Sequence, residues 1–170
     1  MTFKVSTSKS FEQLIGKEEK KNIIGQVRKE FSKQGPVKVK QAIVKDMIRG
    51  VSPVQGGGKW KKYSDNYKKE IRRGSSKRMR SAKPTKFVSP VNLRLTGALH
   101  RSLTSFLKGK VLFIQFKNFL ADIHNRRGAG KSKVVRRMLP TNQGEQFNRT
   151  INKVLLEEMR KAVAKVTQRF

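Results

Sequence analysis

Apolar residues recur along this chain with two different periods, and the changes of period mark out its elements. Leu14, Ile24, Val27 and Phe31 share one helical face, and Ser10 with Gln13 fits a capping box at its start. Gly35-Pro36 predicts a break there, because proline lacks an N–H and its ring crowds the preceding turn. A second helix is expected from about Val37 to Arg49, with Val39, Ala42, Ile43 and Met47 as its stripe and Gly50 as its stop. Trp60, Tyr63 and Tyr67 then recur at helical spacing, which predicts three rings on one side of a short helix beginning near Lys59. The segment 104–107, a turn at Lys108-Gly109-Lys110, and Val111 to Phe116 read as an antiparallel hairpin whose second arm is apolar enough to be central in a sheet. Asn118 to Asn125 suggests a short helix, and Val134 to Leu139 a further strand ended by Pro140.

The longest pattern runs from about Gln143 to Val166, where Phe147, Ile151, Val154, Leu155, Met159, Ala162 and Val166 trace one face that is expected to cover the sheet. Residues 1–9 read as a flexible or strand-like arm. Together these elements predict an α+β class: an antiparallel β-sheet with N-terminal helices and a long C-terminal helix packed on it. All of 1–170 is expected to form a single domain.

Between the two halves lies an elbow, Gly50-Val51-Ser52-Pro53-Val54-Gln55-Gly56-Gly57-Gly58-Lys59-Trp60. Consecutive glycines cost backbone entropy, so they mark a place where tight or unusual backbone is required. Trp60, Leu95 and Phe147 are assigned to the core.

Charge changes the picture most. The chain has 41 Lys and Arg against 11 Asp and Glu, a formal net charge of +30. Self-repulsion at that level calls for nucleic acid, an acidic protein surface or an assembly that supplies counter-charge. The positive residues concentrate in a long exposed loop expected at 72–86 and in the segment before it. Lys59, Lys61, Lys62, Lys68, Lys69, Arg72, Arg73, Lys77, Arg78 and Arg80 form one candidate polyanion-facing set. Arg126, Arg127, Lys131 and Lys133 form a second. Either set can equally face an acidic partner protein. No base-reading motif accompanies them, so contacts to a nucleic-acid backbone without sequence preference are expected.

Catalytic chemistry is not indicated. There is no cysteine, which excludes disulfides and thiolate sites. His100 and His124 are the only histidines, and they lie at no metal-ligand spacing. Gly128-Ala129-Gly130-Lys131-Ser132 looks like part of a phosphate loop, but Asn125 occupies the position where the full motif has its first glycine. The expectation is a protein that is not an enzyme, with no metal and no cofactor. No run approaches the roughly 20 apolar residues of a membrane helix, and the N-terminus lacks the apolar core of a signal peptide. A soluble protein made in a reducing compartment is expected.

Four pieces, in order, carry a resemblance: Gly50-Val51-Ser52-Pro53 with Gly58-Lys59-Trp60 and Tyr67; Leu93-Arg94-Leu95-Thr96-Gly97-Ala98-Leu99 with Ser102; Ala121-Asp122-Ile123-His124; and Arg137-Met138-Leu139-Pro140 before the final helix. This order resembles the virion morphogenesis or tail-completion proteins of tailed bacteriophages, which act at the neck where a filled head meets a tail. The resemblance covers roughly residues 50–160. The chain departs from it in the basic insert between Tyr67 and Phe87, in the approach to the final strand and in its charge.

The resemblance implies a small α+β subunit in a homo-oligomeric ring, with a hexamer as the expected form. Such a ring would extend the DNA channel and dock on other neck proteins: the head connector, the tail terminator or the tail tube. It implies a location in the virion, reached from the host cytoplasm, with packaged DNA as a partner and no membrane. The other reading of the charge is a ribosomal or nucleoid-like protein that binds nucleic acid without sequence preference.

Overall fold

A computed structural model describes residues 2–6, 17–73, 89, 93, 98–129 and 133–168. In chain order these form β1 (Thr2–Ser6), α1 (Lys17–Ile48), α2 (Asp65–Arg73), α3 (Ala98–Arg101), β2 (Leu103–Lys108), β3 (Val111–Phe116), α4 (Leu120–Asp122) and α5 (Arg149–Thr167). A π-helical turn, Ile123–Arg127, continues α4. The class is α+β.

The hairpin forms as its sequence predicts. β2 and β3 pair antiparallel from Leu103↔Phe116 to Lys108↔Val111. β3 is central, because β1 pairs with its other edge. The N-terminal arm is thus a strand over Thr2–Ser6. Alternation sends Leu112, Ile114 and Phe116 of β3 inward and leaves Phe106 and Phe113 stacked on the other face, centroids 5.3 Å apart.

Helix α1 corrects the expected break: it is one helix of 32 residues with Pro36 inside it. The reason lies in packing. Phe31, Gly35, Val39, Ile43 and Met47 fall at intervals of four and are all buried, so the face that meets the core runs straight past the proline. An interior proline costs about 3 kcal/mol, whereas each fully buried Val, Ile or Met returns about 1.5–3 kcal/mol. Gly35 leaves room for the Phe31 ring, which a Cβ there would meet at 2.3 Å. Ser105 Oγ of β2 donates to the Pro36 carbonyl at 2.6 Å, tying the helix to the sheet at this point.

The C-terminal helix begins at Arg149, six residues later than Gln143. Asn148 caps it, its Oδ1 accepting from Ile151 N at 3.0 Å. Ile151, Ala162 and Val166 are buried on the face that the pattern predicts. That face lies mainly along α1, and α1 in turn packs on β2, so α1 is the middle layer of the fold. Phe147 is buried outside the helix, in a bridge to Val54.

Three further expectations need correction. The aromatic helix begins at Asp65 and not near Lys59, so Trp60 and Tyr63 precede it and Tyr67 stands at 36% exposure. Arg72 and Arg73 end α2, and do not belong to a loop. Residues 134–139 form no strand. Their polar backbone groups are taken by single partners instead: Arg136 N donates to His124 O at 2.7 Å, and the Asn125 carboxamide bonds Met138 and Leu139. Within this segment, the Ala129↔Val134 bridge is the only sheet pairing among the described residues. Ser10, Gln13, Leu14, Leu95, Thr96, Lys131 and the segment 74–88, with Lys77, Arg78 and Arg80, lie outside the described residues.

Candidate functional site

Four of the five buried polar residues among those described, Asp46, Ser52, Asn125 and Arg136, gather around the elbow. Burying polar groups is costly unless they are bonded, so such a concentration shows where the chain specifies its geometry.

The elbow starts as α1 ends. Gly50, at φ 70°, lets the chain reverse, and Gly50 N donates to Met47 O at 3.0 Å. Ser52 N then donates to Gly58 O at 2.8 Å, and Trp60 N to Gly50 O at 2.8 Å, closing the loop on itself. Gly57 has to be glycine, because a Cβ there would meet Ser52 Oγ at 2.2 Å. Freed from crowding, Ser52 Oγ accepts from Val54 N at 3.1 Å and donates to Arg137 O at 2.8 Å. The elbow is therefore fastened to the segment ahead of Pro140.

Asn148 fastens it to α5. Its Nδ2 donates to Asp46 Oδ2 at 2.7 Å and to Ser52 O at 3.0 Å, while its backbone N donates to Pro53 O at 2.7 Å. One side chain thus joins the end of α1, the elbow and the start of α5. Asn125 does similar work on the other side. Its Oδ1 accepts from Met138 N and Leu139 N, and its Nδ2 donates to Leu139 O at 3.0 Å, so a carboxamide stands in for a neighbouring strand.

Arg136 is 5% exposed. Its Nη2 donates to Lys61 O at 3.3 Å, and its guanidinium lies 5.4 Å from the Tyr63 ring centroid. Burial pushes it below its ordinary range, with Tyr63 and Tyr67 acting in the opposite direction. Beside it, His124 is lowered to about 4, first by burial and then by the Arg136 charge, so its imidazole is neutral near pH 7. Tyr63 packs edge-on against Tyr67 at 5.1 Å and accepts from Leu93 N at 3.0 Å.

Over this framework opens a cleft of about 690 Å³. Its walls come from Gly56, Gly57 and Lys59 to Lys61 on the elbow, Asn125 and Arg126 on the π-helical turn, and Val135, Arg137, Thr141 and Asn142 opposite. Lys59 and Lys61 are exposed on either side of buried Trp60. Arg126 is paired with Asp122, its Nε at 2.6 Å, and Arg127 reaches the same carboxylate at 2.9 Å. Arg137 is paired with Glu145 at 3.0 Å. Glu145 also accepts from Thr141 N at 2.7 Å, and these bonds hold its carboxyl below the usual range.

The structure brings Lys59 and Lys61 of the first candidate set together with Arg126 of the second. Arg127 lies beside them. Lys62, Lys69, Arg72 and Arg73 are exposed elsewhere, and Lys68 pairs with Asp65 at 2.7 Å. Lys133 is exposed at φ 44° on the turn closed by the Ala129↔Val134 bridge. Trp60 and Phe147 are in the core as expected. Arg136, Arg137, Asn125, Asn148 and Asp46 were not singled out from the sequence as site residues. Of these, Asn148 carried a readable signal, an Asn three residues before an apolar helical run.

Among the described residues there is no group of three or more potential metal ligands, and no helix is long and apolar enough to cross a membrane. No family model, curated protein or solved structure matches this chain.

Proposed function

We propose that this chain is a structural virion protein of a tailed bacteriophage. In this reading it forms a ring at the neck or tail top that completes the tail, joins it to the DNA-filled head and lines the DNA channel. One observation supports it above the others: the first and last of the pieces that carry the resemblance, 85 residues apart, are joined by a hydrogen bond, and described residues of the other two bond to positions next to them. Ser52 of the first bonds Arg137 of the last, Leu93 bonds Tyr63 beside the elbow, and His124 accepts from Arg136.

A ring also accommodates the charge, because packaged DNA or acidic neighbours would neutralise it. The test is deletion of the gene from the phage genome that carries it. The expected result is an accumulation of filled heads and free tails. Normal joined particles would contradict the proposal.

The second reading, a nucleic-acid-binding protein without sequence preference, is favoured by one specific observation. Cations from both candidate sets line one open concavity. It predicts tight binding by the isolated monomer, with a steep loss as salt rises.

A further inference from the structure

We infer that the cleft between the elbow and residues 135–142 is a phosphate-binding site for a nucleic-acid backbone, with Lys59 and Lys61 supplying the net charge and Arg126 and Arg137 orienting it. The inference rests on the nucleic-acid reading of this concavity and names the ligand group and the residues that hold it, for a ring subunit or a free monomer alike.

The division of labour follows from the ion pairs. Each arginine in the walls already shares a carboxylate, Asp122 or Glu145, which fixes the position of its guanidinium and offsets much of its charge. A guanidinium has five N–H donors, and these pairs leave others to face a ligand. Lys59 and Lys61 form no ion pair among the described residues. Of the two acids bonded to wall residues, Glu145 is occupied by Thr141, Asn142 and Arg137, and Asp122 by Arg126 and Arg127. The cleft therefore carries a net positive charge on a fixed frame.

The lining, and not the size, points to a phosphate backbone. A volume near 690 Å³ falls within the range of small-molecule sites, but those are walled mainly by apolar groups, and among the described residues Trp60 and Val135 are the only large apolar ones in these walls. Trp60 is 8% exposed, so its ring is not available for a base to stack on. Such a site holds phosphates and does not read bases.

The test uses the full chain and fluorescence anisotropy of labelled 20-nucleotide strands and a 20-base-pair duplex, across a salt series. Three proteins are compared: wild type, Lys59→Gln/Lys61→Gln, and Arg160→Gln/Lys165→Gln. The last pair is exposed on α5 and removes the same charge away from the cleft. All four side chains are exposed, and circular dichroism confirms that the folds match. The cleft variant is expected to lose about tenfold or more in affinity, and its log–log salt slope to fall in size by about 1.4–1.8, two phosphate contacts' worth. The control is expected to keep the wild-type slope.

Equal losses in the two variants would overturn the inference, since net charge alone would explain them. A preference above about tenfold between oligo-dT and oligo-dA would overturn the claim that bases are not read. A final arm titrates inorganic phosphate at constant ionic strength. Saturable phosphate binding without binding of either DNA would assign the cleft to a free anion and overturn the polymer.

Discussion

Asn148→Ala removes three connections at one stroke, and the structure sets what that costs. The helix cap on Ile151 N is worth about 1 kcal/mol. The bond from Nδ2 to Asp46 is worth about 1.5–3 kcal/mol, because the carboxylate it serves is buried at 5% exposure and its loss leaves that oxygen without this donor. The bond to Ser52 O adds a smaller amount. The expected total is about 3 kcal/mol, a large share of the roughly 5–15 kcal/mol that holds a domain together. Urea denaturation followed by circular dichroism measures it: with a slope near 2 kcal/mol per molar, the midpoint falls by about 1.5 M. Asn148→Ser keeps a capping oxygen and is expected to recover about 1 kcal/mol of the loss. A double-mutant cycle with Asp46→Ala isolates the pair. A loss under about 1 kcal/mol for Asn148→Ala, or a coupling under about 0.5 kcal/mol, would refute the clasp, because the cap alone would then account for the effect.

His124 is held near 4 in the fold against an ordinary value near 6.5, so the unfolded chain binds the extra proton between those values and stability falls as pH drops from about 6.5 to 4. The lowered Glu145 and Asp122 carboxyls add their own loss only below about pH 4.5. Denaturation midpoints between pH 7 and 4.5 therefore report the histidine, and His124→Gln is expected to flatten that slope; an unchanged slope would contradict the assignment. Gly57→Ala drives a Cβ into Ser52 and is expected to destabilise by about 1–3 kcal/mol. Gly25→Ala, inside α1 with open space around its Cβ, is expected to stabilise by about 0.5–1 kcal/mol. The two thermal shifts should have opposite signs.

Much of this fold was legible where one periodic pattern ran long enough to be unambiguous. The hairpin at 103–116, the inward face of β3 and the apolar stripe of α5 follow from alternation and helical spacing alone. Pro36 misled because its local cost is visible in the sequence, while the core on which both halves of α1 pack is not. The strand expected at 134–139 failed for a related reason. Part of it alternates, since Arg136 and Met138 are buried between exposed Val135 and Arg137, but Leu139 is buried too and the partner backbone is replaced by the Asn125 side chain. Gln143 was too early a start for α5 because Phe147 fits the helical face while bonding to the elbow instead. At the site, the lysines were legible as charge, and the elbow as a place needing unusual backbone. Their meeting with Arg126 and Arg137 was not, because it depends on contacts spanning 75 to 102 residues in sequence.

The most direct test of the neck proposal is the mass of the purified protein by light scattering at moderate salt, with and without DNA. A neck ring gives a closed species of several 19.5 kDa subunits, about six, already present before DNA is added. A monomer that stays a monomer until it coats nucleic acid would contradict it and would favour the second reading.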